Sequence, residues 1–300
     1  MSGGLRSSLR GQGGIVVGGA HDALSARLVE EAGFDAVWLS SLGVSTALRA
    51  VPDLNLVTMT EMLEVGRNIV GRVRIPVIAD CENGYGDARN VFYMVQEFER
   101  AGVGAACFED NEYPKRNSFY EMDRDLISIG EMEAKIDAAV SARQSGEFAI
   151  IARTEALIAG LGVPAAVERA RAYEETGADA VVVHARSWAL LEQFLAVWTG
   201  KVPLVVIPTM FAEIGTERLF AAGFKMVIYA NQALRAALRA MAEALGAIRQ
   251  GGGCAGLGER LASLKELEAL VGADGLMLEV PRPRFAARRP RHGPAPDVAR

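Results

Sequence analysis

The stretch Val77-Ile-Ala-Asp-Cys-Glu-Asn-Gly-Tyr-Gly86 decides the fold. A short apolar run followed by a Gly-x-Gly turn reads as a strand covered on both faces, the signature of a parallel sheet. The run ends in two acids, Asp80 and Glu82, at the carboxyl end of the strand, where α/β barrels and open α/β sheets carry their chemistry. The same design returns further along. Ala105-Ala-Cys-Phe-Glu-Asp110 ends in Glu109 and Asp110, and Phe148-Ala-Ile-Ile-Ala-Arg-Thr-Glu155 ends in Arg153 and Glu155. Ala180-Val-Val-Val-His184 ends in His184 with Arg186 beyond it, and Met226-Val-Ile-Tyr-Ala-Asn231 ends in Asn231. Solvated polar residues closing a strand explain any one of these endings. All of them together bring acids, arginine and histidine to one rim, which predicts an active site.

Working outward, apolar runs with strand character begin near Ile15, Ala36, Val77, Ala105, Phe148, Ala180, Leu204 and Met226. Between them lie amphipathic stretches of helical period, such as Ala23–Ala32 and Ala165–Glu175. Several of these stretches close on a related phrase: Glu31-Ala-Gly-Phe-Asp-Ala, Arg100-Ala-Gly-Val-Gly-Ala, Glu175-Thr-Gly-Ala-Asp-Ala and Ala221-Ala-Gly-Phe-Lys-Met. Each glycine suits a left-handed helix cap before the chain turns into the next strand. Repeated strand–helix units with no other folding unit predict an α/β (β/α)8 TIM-type barrel; a doubly wound open sheet is the rival arrangement. Two connections are long, Leu42–Thr60 and Asn111–Leu126. On the catalytic rim, such loops read as binding loops or lids. After Gly251-Gly-Gly an apolar-periodic helix is expected over Leu257–Leu270. The domain reading is a single barrel with a C-terminal helical extension over residues 1–280, then a disordered Pro- and Arg-rich tail over 281–300.

Composition narrows the function. The 300 residues are 50% hydrophobic, enough for a large core, and the net charge of −5 argues against a nucleic-acid-binding body. The final twenty residues carry six Arg and five Pro, and read as a solvated tail. With no bilayer-length apolar run and no signal-like N-terminus, neither a membrane nor a nucleic-acid partner is expected. The three cysteines, Cys81, Cys107 and Cys254, lack CxxC spacing, which suits reduced thiols and a cytoplasmic location. Cys81 lies between Asp80 and Glu82, so strand alternation points it away from them.

Asp53, Asp80, Glu82 and Glu109 supply hard oxygen donors without zinc-like Cys/His spacing, the donor set of Mg²⁺. Without a cation they would repel one another. Arg153 and His184 offer positive or hydrogen-bonding groups for a phosphoryl or carboxylate group. A small, multiply charged substrate follows, and phosphoenolpyruvate-like and 2-oxo-dicarboxylate compounds both fit.

Residues 14–270 resemble the isocitrate lyase/phosphoenolpyruvate mutase superfamily. The matches include Gly19-Ala-His-Asp-Ala-Leu-Ser-Ala26, Val37-Trp-Leu-Ser-Ser-Leu42, Val51-Pro-Asp-Leu-Asn55, Asp80-Cys-Glu-Asn-Gly-Tyr-Gly86, Phe108-Glu-Asp110, Ile151–Gly160, His184, Val206-Ile-Pro-Thr209 and Ile228–Arg235. The resemblance implies an α/β barrel, Mg²⁺, a mobile lid, and homodimers or homotetramers that exchange a terminal helix. Pro114-Lys-Arg-Asn-Ser118 looks like the Pro-Lys-x-Asn-Ser lid of phosphoenolpyruvate mutases and lacks the Cys of the lyase lids. Phosphonopyruvate hydrolases, similar throughout, typically carry Thr in place of Asn117. Two positions depart from the usual pattern: Glu82 stands for Asp, and Asn111 for Lys.

The resemblance therefore implies interconversion of phosphoenolpyruvate and 3-phosphonopyruvate. Asp80 would ligate Mg²⁺ directly, with Glu82, Glu109 and Asp53 acting mainly through water. The amides around Ser41 and Leu42, the Ser40 hydroxyl and Trp38 would receive the substrate carboxylate end. Arg153, His184 and Asn117 would hold the phosphoryl group, and Lys115 and Ser118 would complete the closed lid. Hydrolysis of phosphonopyruvate or oxaloacetate, a mutase acting on an analogue, and a catalytically silent anion-binding barrel are the alternatives.

Overall fold

The computed structural model of the chain describes residues 4–118 and 125–272; residues 119–124 of the expected lid and the expected tail 281–300 lie outside the described residues. After a short helix α1 (Leu5–Arg10), strand and helix alternate: β1 (Ile15–Ala20), α2 (Ala23–Glu31), β2 (Ala36–Leu39), α3 (Ser41–Val44), α4 (Met59–Val70), β3 (Val77–Asp80) and α5 (Ala88–Arg100). Next come β4 (Ala105–Glu109), α6 (Ile129–Ala142), β5 (Ala149–Thr154), α7 (Gly162–Thr176), β6 (Ala180–Val183) and α8 (Trp188–Val197). The series closes with β7 (Leu204–Val206), α9 (Thr216–Ala221), β8 (Phe224–Tyr229), α10 (Gln232–Gly251) and α11 (Leu264–Val271). Among the described residues, eight parallel strands pair in sequence order and β8 pairs back to β1, closing the barrel. The open-sheet rival is excluded by that closure.

Strand alternation divides the core into two layers. Ile15, Val17, Ala36, Trp38, Ile78, Ala105, Cys107, Ala149, Ile151, Ala180, Val182 and Met226 pack inside the barrel, with Leu5 and Leu9 of α1 joining them. Val37, Leu39, Ala79, Phe108, Ile150, Ala152, Val181 and Val183 pack outward against the helices. The inward parity runs through Ile78 to Asp80, Cys107 to Glu109, Ile151 to Arg153 and Val182 to His184, so the same alternation that fills the barrel aims these four side chains into it. Cys81 takes the outward parity and is buried in the helix-facing layer, as its place between two acids predicts.

The repeated Ala-Gly and Thr-Gly phrases end their helices as expected, with Gly33, Gly102, Gly177 and Gly223 all at positive φ. Two expectations need correction. The connection Leu42–Thr60 is not simply a loop, because its first part is helical: α3 runs directly into a π-helical segment, Ser45–Arg49, with α4 beginning at Met59. The helix expected from Leu257 begins instead at Leu264. Ser263 caps it through a reciprocal box with Glu266, and only a short 3-10 turn, Gly258–Arg260, precedes it, where Gly258 sits at positive φ.

Contacts divide the chain into two compact units, Met1–Glu243 and Ala244–Arg300. The barrel strands and their carboxyl-end rim belong to the first. The helix α10 has no buried residue and exposes Leu238, Met241, Leu245 and Ile248. No helix among the described residues is long and apolar enough to cross a membrane.

Candidate active site

The strand ends enclose a cavity of about 460 Å³, counting space open to solvent, at the carboxyl rim of the barrel. Trp38, Ser40, Leu42, Asp53, Asp80, Glu109, Lys115, Asn117, Ser118, Arg153 and His184 all line it. Ser41 and Glu82 stand just behind: Ser41 donates from Oγ to Asp80 Oδ2 at 2.8 Å, and Glu82 pairs with the Lys115 ammonium. Every residue given a metal or substrate role from sequence is therefore in the cavity wall or touches it, whereas the strand-end acid Asp110 points away from it.

The acidic side is built from successive turns. After β3 the chain makes a tight turn in which Gly84 N donates to Cys81 O at 2.8 Å, and Glu82 adopts a φ of 57°. A left-handed conformation in a non-glycine residue costs on the order of 1 kcal/mol and persists only where surroundings enforce it. Here Glu109 N donates to Glu82 O at 2.7 Å, clamping that strained residue to the end of β4. The lid residue Lys115 reaches Asp53 Oδ2 at 3.0 Å, Ser41 Oγ at 3.1 Å and the Glu82 carboxylate. Burial draws the Lys115 pKa down, yet Asp53, Glu82 and Glu109 raise it well above the ordinary lysine value, so it stays charged. Burial, with Asp53 and Asp80 adding to it, pushes the Glu82 carboxyl well above the usual range against the pull of Lys115.

Glu109 is likewise raised by burial despite Arg153 and Lys115. Its Oε1 accepts from Asn111 Nδ2 at 2.9 Å, and Arg153 Nε lies 3.3 Å from Oε2. Asn111, where the resembled enzymes carry a lysine, thus supplies Glu109 with a neutral donor. Asn111 also bridges Leu126, so the two ends of the expected lid pair with each other.

The cationic side centres on Glu155. Arg153 Nε donates to Glu155 Oε1 at 2.5 Å, His184 Nδ1 lies 2.8 Å from the same oxygen, and Ser118 Oγ donates to Oε2 at 2.7 Å. Burial opposes ionisation of Glu155, but Arg153 and His184 hold its carboxyl well below the usual range. Arg153 Nη2 also lies 2.7 Å from His184 Nδ1 and 3.1 Å from Ser118 Oγ. One carboxylate therefore orients an arginine, a histidine and a lid hydroxyl. Glu155 itself was visible only as a strand-end acid; no local signal revealed that it organises the others. Ile207, Thr209, Ala230 and Asn231 complete the wall from β7 and β8, and among the described residues the hydroxyl of Thr209 and Oδ1 of Asn231 have no hydrogen-bond partner.

The Ser40 hydroxyl accepts from Gly43 N at 3.1 Å, capping α3. Its own proton remains available to an acceptor in the cavity, beside the first amides of that helix. The acid cluster was tested as a Mg²⁺ site. Among the described residues, no three Asp, Glu, His or Cys side chains converge tightly enough to enclose a metal ion by themselves. Asp53 Oδ1 is buried without a partner, however, and the donors are all hard carboxylate oxygens. That combination fits an ion that keeps several waters and takes only one or two carboxylates directly, as Mg²⁺ does.

Comparison with known proteins places this geometry among relatives. The family model described as phosphoenolpyruvate phosphomutase matches residues 5–249. The phosphonopyruvate hydrolase of Variovorax sp. (strain Pal2) is 45% identical over 258 residues, covering 84% of this chain and 88% of that protein. The crystal structure of a phosphoenolpyruvate phosphomutase from Streptomyces platensis subsp. rosaceus superposes with a TM-score of 0.89 at 40% identity, covering 91% of this chain and 96% of that one. A phosphonopyruvate hydrolase complexed with oxalate and Mg²⁺ superposes with a TM-score of 0.86 at 40% identity, covering 91% and 95% of the respective chains.

Proposed function

The chain belongs to the phosphoenolpyruvate phosphomutase family, and from that premise we propose that it interconverts phosphoenolpyruvate and 3-phosphonopyruvate with the help of Mg²⁺. In this isomerisation the bond from phosphorus to the enol oxygen breaks and a bond from phosphorus to C3 forms; nothing is added or lost. When bound, Mg²⁺ would supply the positive charge that steadies a developing enolate. Asp80 would ligate the ion directly, while Asp53, Glu82 and Glu109 would act through water.

The substrate carboxylate lies against the first amides of α3 and the Ser40 hydroxyl, beside Trp38. The phosphoryl group faces Arg153, His184 and Asn117. His184, whose Nδ1 lies 2.8 Å from Glu155 Oε1, turns its other ring nitrogen to a phosphoryl oxygen. Positioning and electrostatics carry such a reaction, because the loose transition state of phosphoryl transfer asks for little covalent help. Lys115 and Ser118 bring the lid down on both halves, one tied to the acids and the other to Glu155.

The single observation that carries the mutase reading is Asn117. It is buried in the cavity wall and its Nδ2 donates to Asp53 Oδ2 at 2.6 Å. An amide there covers the transferring group without offering a nucleophile, and a closed lid excludes water. The 45% identity to a phosphonopyruvate hydrolase supports a second reading, capture of the phosphoryl group by water. Turnover in ¹⁸O-labelled water separates them. A mutase leaves the phosphoryl oxygens unlabelled, and a hydrolase places one label in each phosphate released. The exposed apolar residues of α10 support a homo-oligomer in which this helix packs on a second copy, and size-exclusion chromatography coupled to light scattering tests it.

A further inference from the structure

We propose that Asp110, Arg169 and Tyr173 form a buried positioning network that sets both the return of the lid and the anion clamp, although none of them lines the cavity. The inference rests on the reading of Asn111–Leu126 as a lid. Asp110 follows Glu109 and takes the opposite parity, so its side chain leaves the barrel toward α7. It is fully buried. Tyr173 Oη donates to Asp110 Oδ2 at 2.7 Å, and Arg169 Nη1 donates to the same oxygen at 3.1 Å. These two residues stand four apart on α7, on one face of the helix.

What the network holds is more telling than how it is built. Asp110 Oδ1 accepts from the amide of Glu155 at 2.8 Å, and the Asp110 amide donates to Arg153 O at 3.2 Å. Its carbonyl accepts from Ile127 N at 3.0 Å, while Arg169 Nη2 donates to Ile127 O at 3.0 Å. Both backbone polar groups of Ile127, the residue directly after the lid neck, are therefore bonded to the network. On the other side, the Glu155 backbone is fixed, and the Glu155 carboxylate orients Arg153, His184 and the lid residue Ser118. One buried aspartate links the lid's exit to the group on which its closed face lands.

A role in packing alone does not account for this choice of residues. Burying an ion pair costs desolvation that apolar side chains of similar volume avoid, so such a pair contributes little net stability. Apolar side chains cannot, however, hold an amide and a carbonyl at fixed places. Burial, reinforced by the Asp110 charge, raises the Tyr173 pKa, so the phenol remains a donor. The three residues are positioning residues: they act on the substrate only through Glu155 and the lid.

The test uses the full chain with Mg²⁺ and three variants, Arg169→Met, Arg169→Lys and Tyr173→Phe. Hydrogen exchange is read at the amides of Ile127 and Glu155 against amides of β1 as the internal control. Loss of a buried charge-assisted bond predicts exchange at those two amides about tenfold faster in Arg169→Met, with β1 much less affected. In the same variant, protection of the lid from protease by Mg²⁺ plus phosphoenolpyruvate is lost. Turnover falls about tenfold with KM within about threefold, and Arg169→Lys recovers part of the loss. If Arg169→Met does not fold, Tyr173→Phe carries the same readouts with only a hydroxyl removed. The proposal is overturned if exchange at Ile127 and Glu155 accelerates no more than at β1, or if turnover falls only in step with the unfolded fraction. Exchange needs no substrate, so a wild-type protein inactive on phosphoenolpyruvate would sink the functional reading and leave the network to be decided by exchange alone.

Discussion

Replacing Asn117 by alanine removes one amide from a closed, buried wall, and the structure sets the size of the effect. The amide donates to Asp53 Oδ2 at 2.6 Å, but that oxygen also receives Lys115 at 3.0 Å. Asp53 is thus not left without a cation, and the cost to folding stays near that of one charge-assisted bond, about 1.5–3 kcal/mol. In turnover the same amide faces the transferring phosphoryl group only while the lid is shut. A donor that acts mainly in the transition state is worth about 2–4 kcal/mol, or roughly two to three powers of ten in rate. Asn117→Ala should therefore lower kcat by about a hundredfold or more while leaving Mg²⁺ affinity within about threefold. Opening the wall to water should also divert some phosphonopyruvate to pyruvate and phosphate. Steady-state kinetics with product analysis measures the first and third effects, and Mn²⁺ titration followed by electron paramagnetic resonance measures the second. A kcat within threefold of wild type, or metal affinity falling in parallel with kcat, would refute the reasoning.

Other expectations are simpler. Asp80→Ala should abolish metal-dependent turnover and weaken Mn²⁺ binding by more than about tenfold, since it removes the direct carboxylate ligand; unchanged binding would put the ion elsewhere. Glu82→Asp shortens the arm that meets Lys115. If Glu82 serves the outer metal shell, mutase activity should persist or rise while Mg²⁺ affinity shifts, and an unchanged Mg²⁺ affinity would remove Glu82 from the metal site. Glu61 caps α4 by accepting from Thr58 N at 2.8 Å, and that bond, with Arg49, lowers its pKa to about 2. A depressed folded-state pKa stabilises the protein above the unfolded carboxyl pKa of about 4.3, and this stability is lost as pH falls toward 2. Melting temperatures of wild type and Glu61→Gln should therefore differ at pH 6 and converge near pH 2. A constant gap across that range would mean that Glu61 is not the titrating cap.

Much of the barrel was legible because two simple periodicities carry it. Alternation along each strand made Asp80, Glu109, Arg153 and His184 both recognisable and co-directional, and the same rule turned Cys81 outward. The Ala-Gly and Thr-Gly phrases marked helix ends because only a residue tolerant of positive φ suits those caps. Less legible were features that depend on distant partners. Glu155 reads as another strand-end acid until Arg153, His184 and Ser118 are seen to meet on it across three segments. Asp110 looked like part of a local motif, yet its partners lie 59 and 63 residues away on α7. Asn111 registered only as a missing lysine; its bond to Glu109 and its bridge to Leu126 are visible only in the fold. The helical segment within Leu42–Thr60 was too short to show a period, and the apolar residues around Leu257 imitated one that Ser263 begins later.

The most direct test of the proposed chemistry is ³¹P NMR of the wild-type protein incubated with 3-phosphonopyruvate and Mg²⁺. The carbon–phosphorus resonance should decay as the phosphate-ester resonance of phosphoenolpyruvate grows, with total signal conserved and no inorganic phosphate formed. Inorganic phosphate appearing in step with pyruvate, or a phosphonate resonance that never changes, would contradict it.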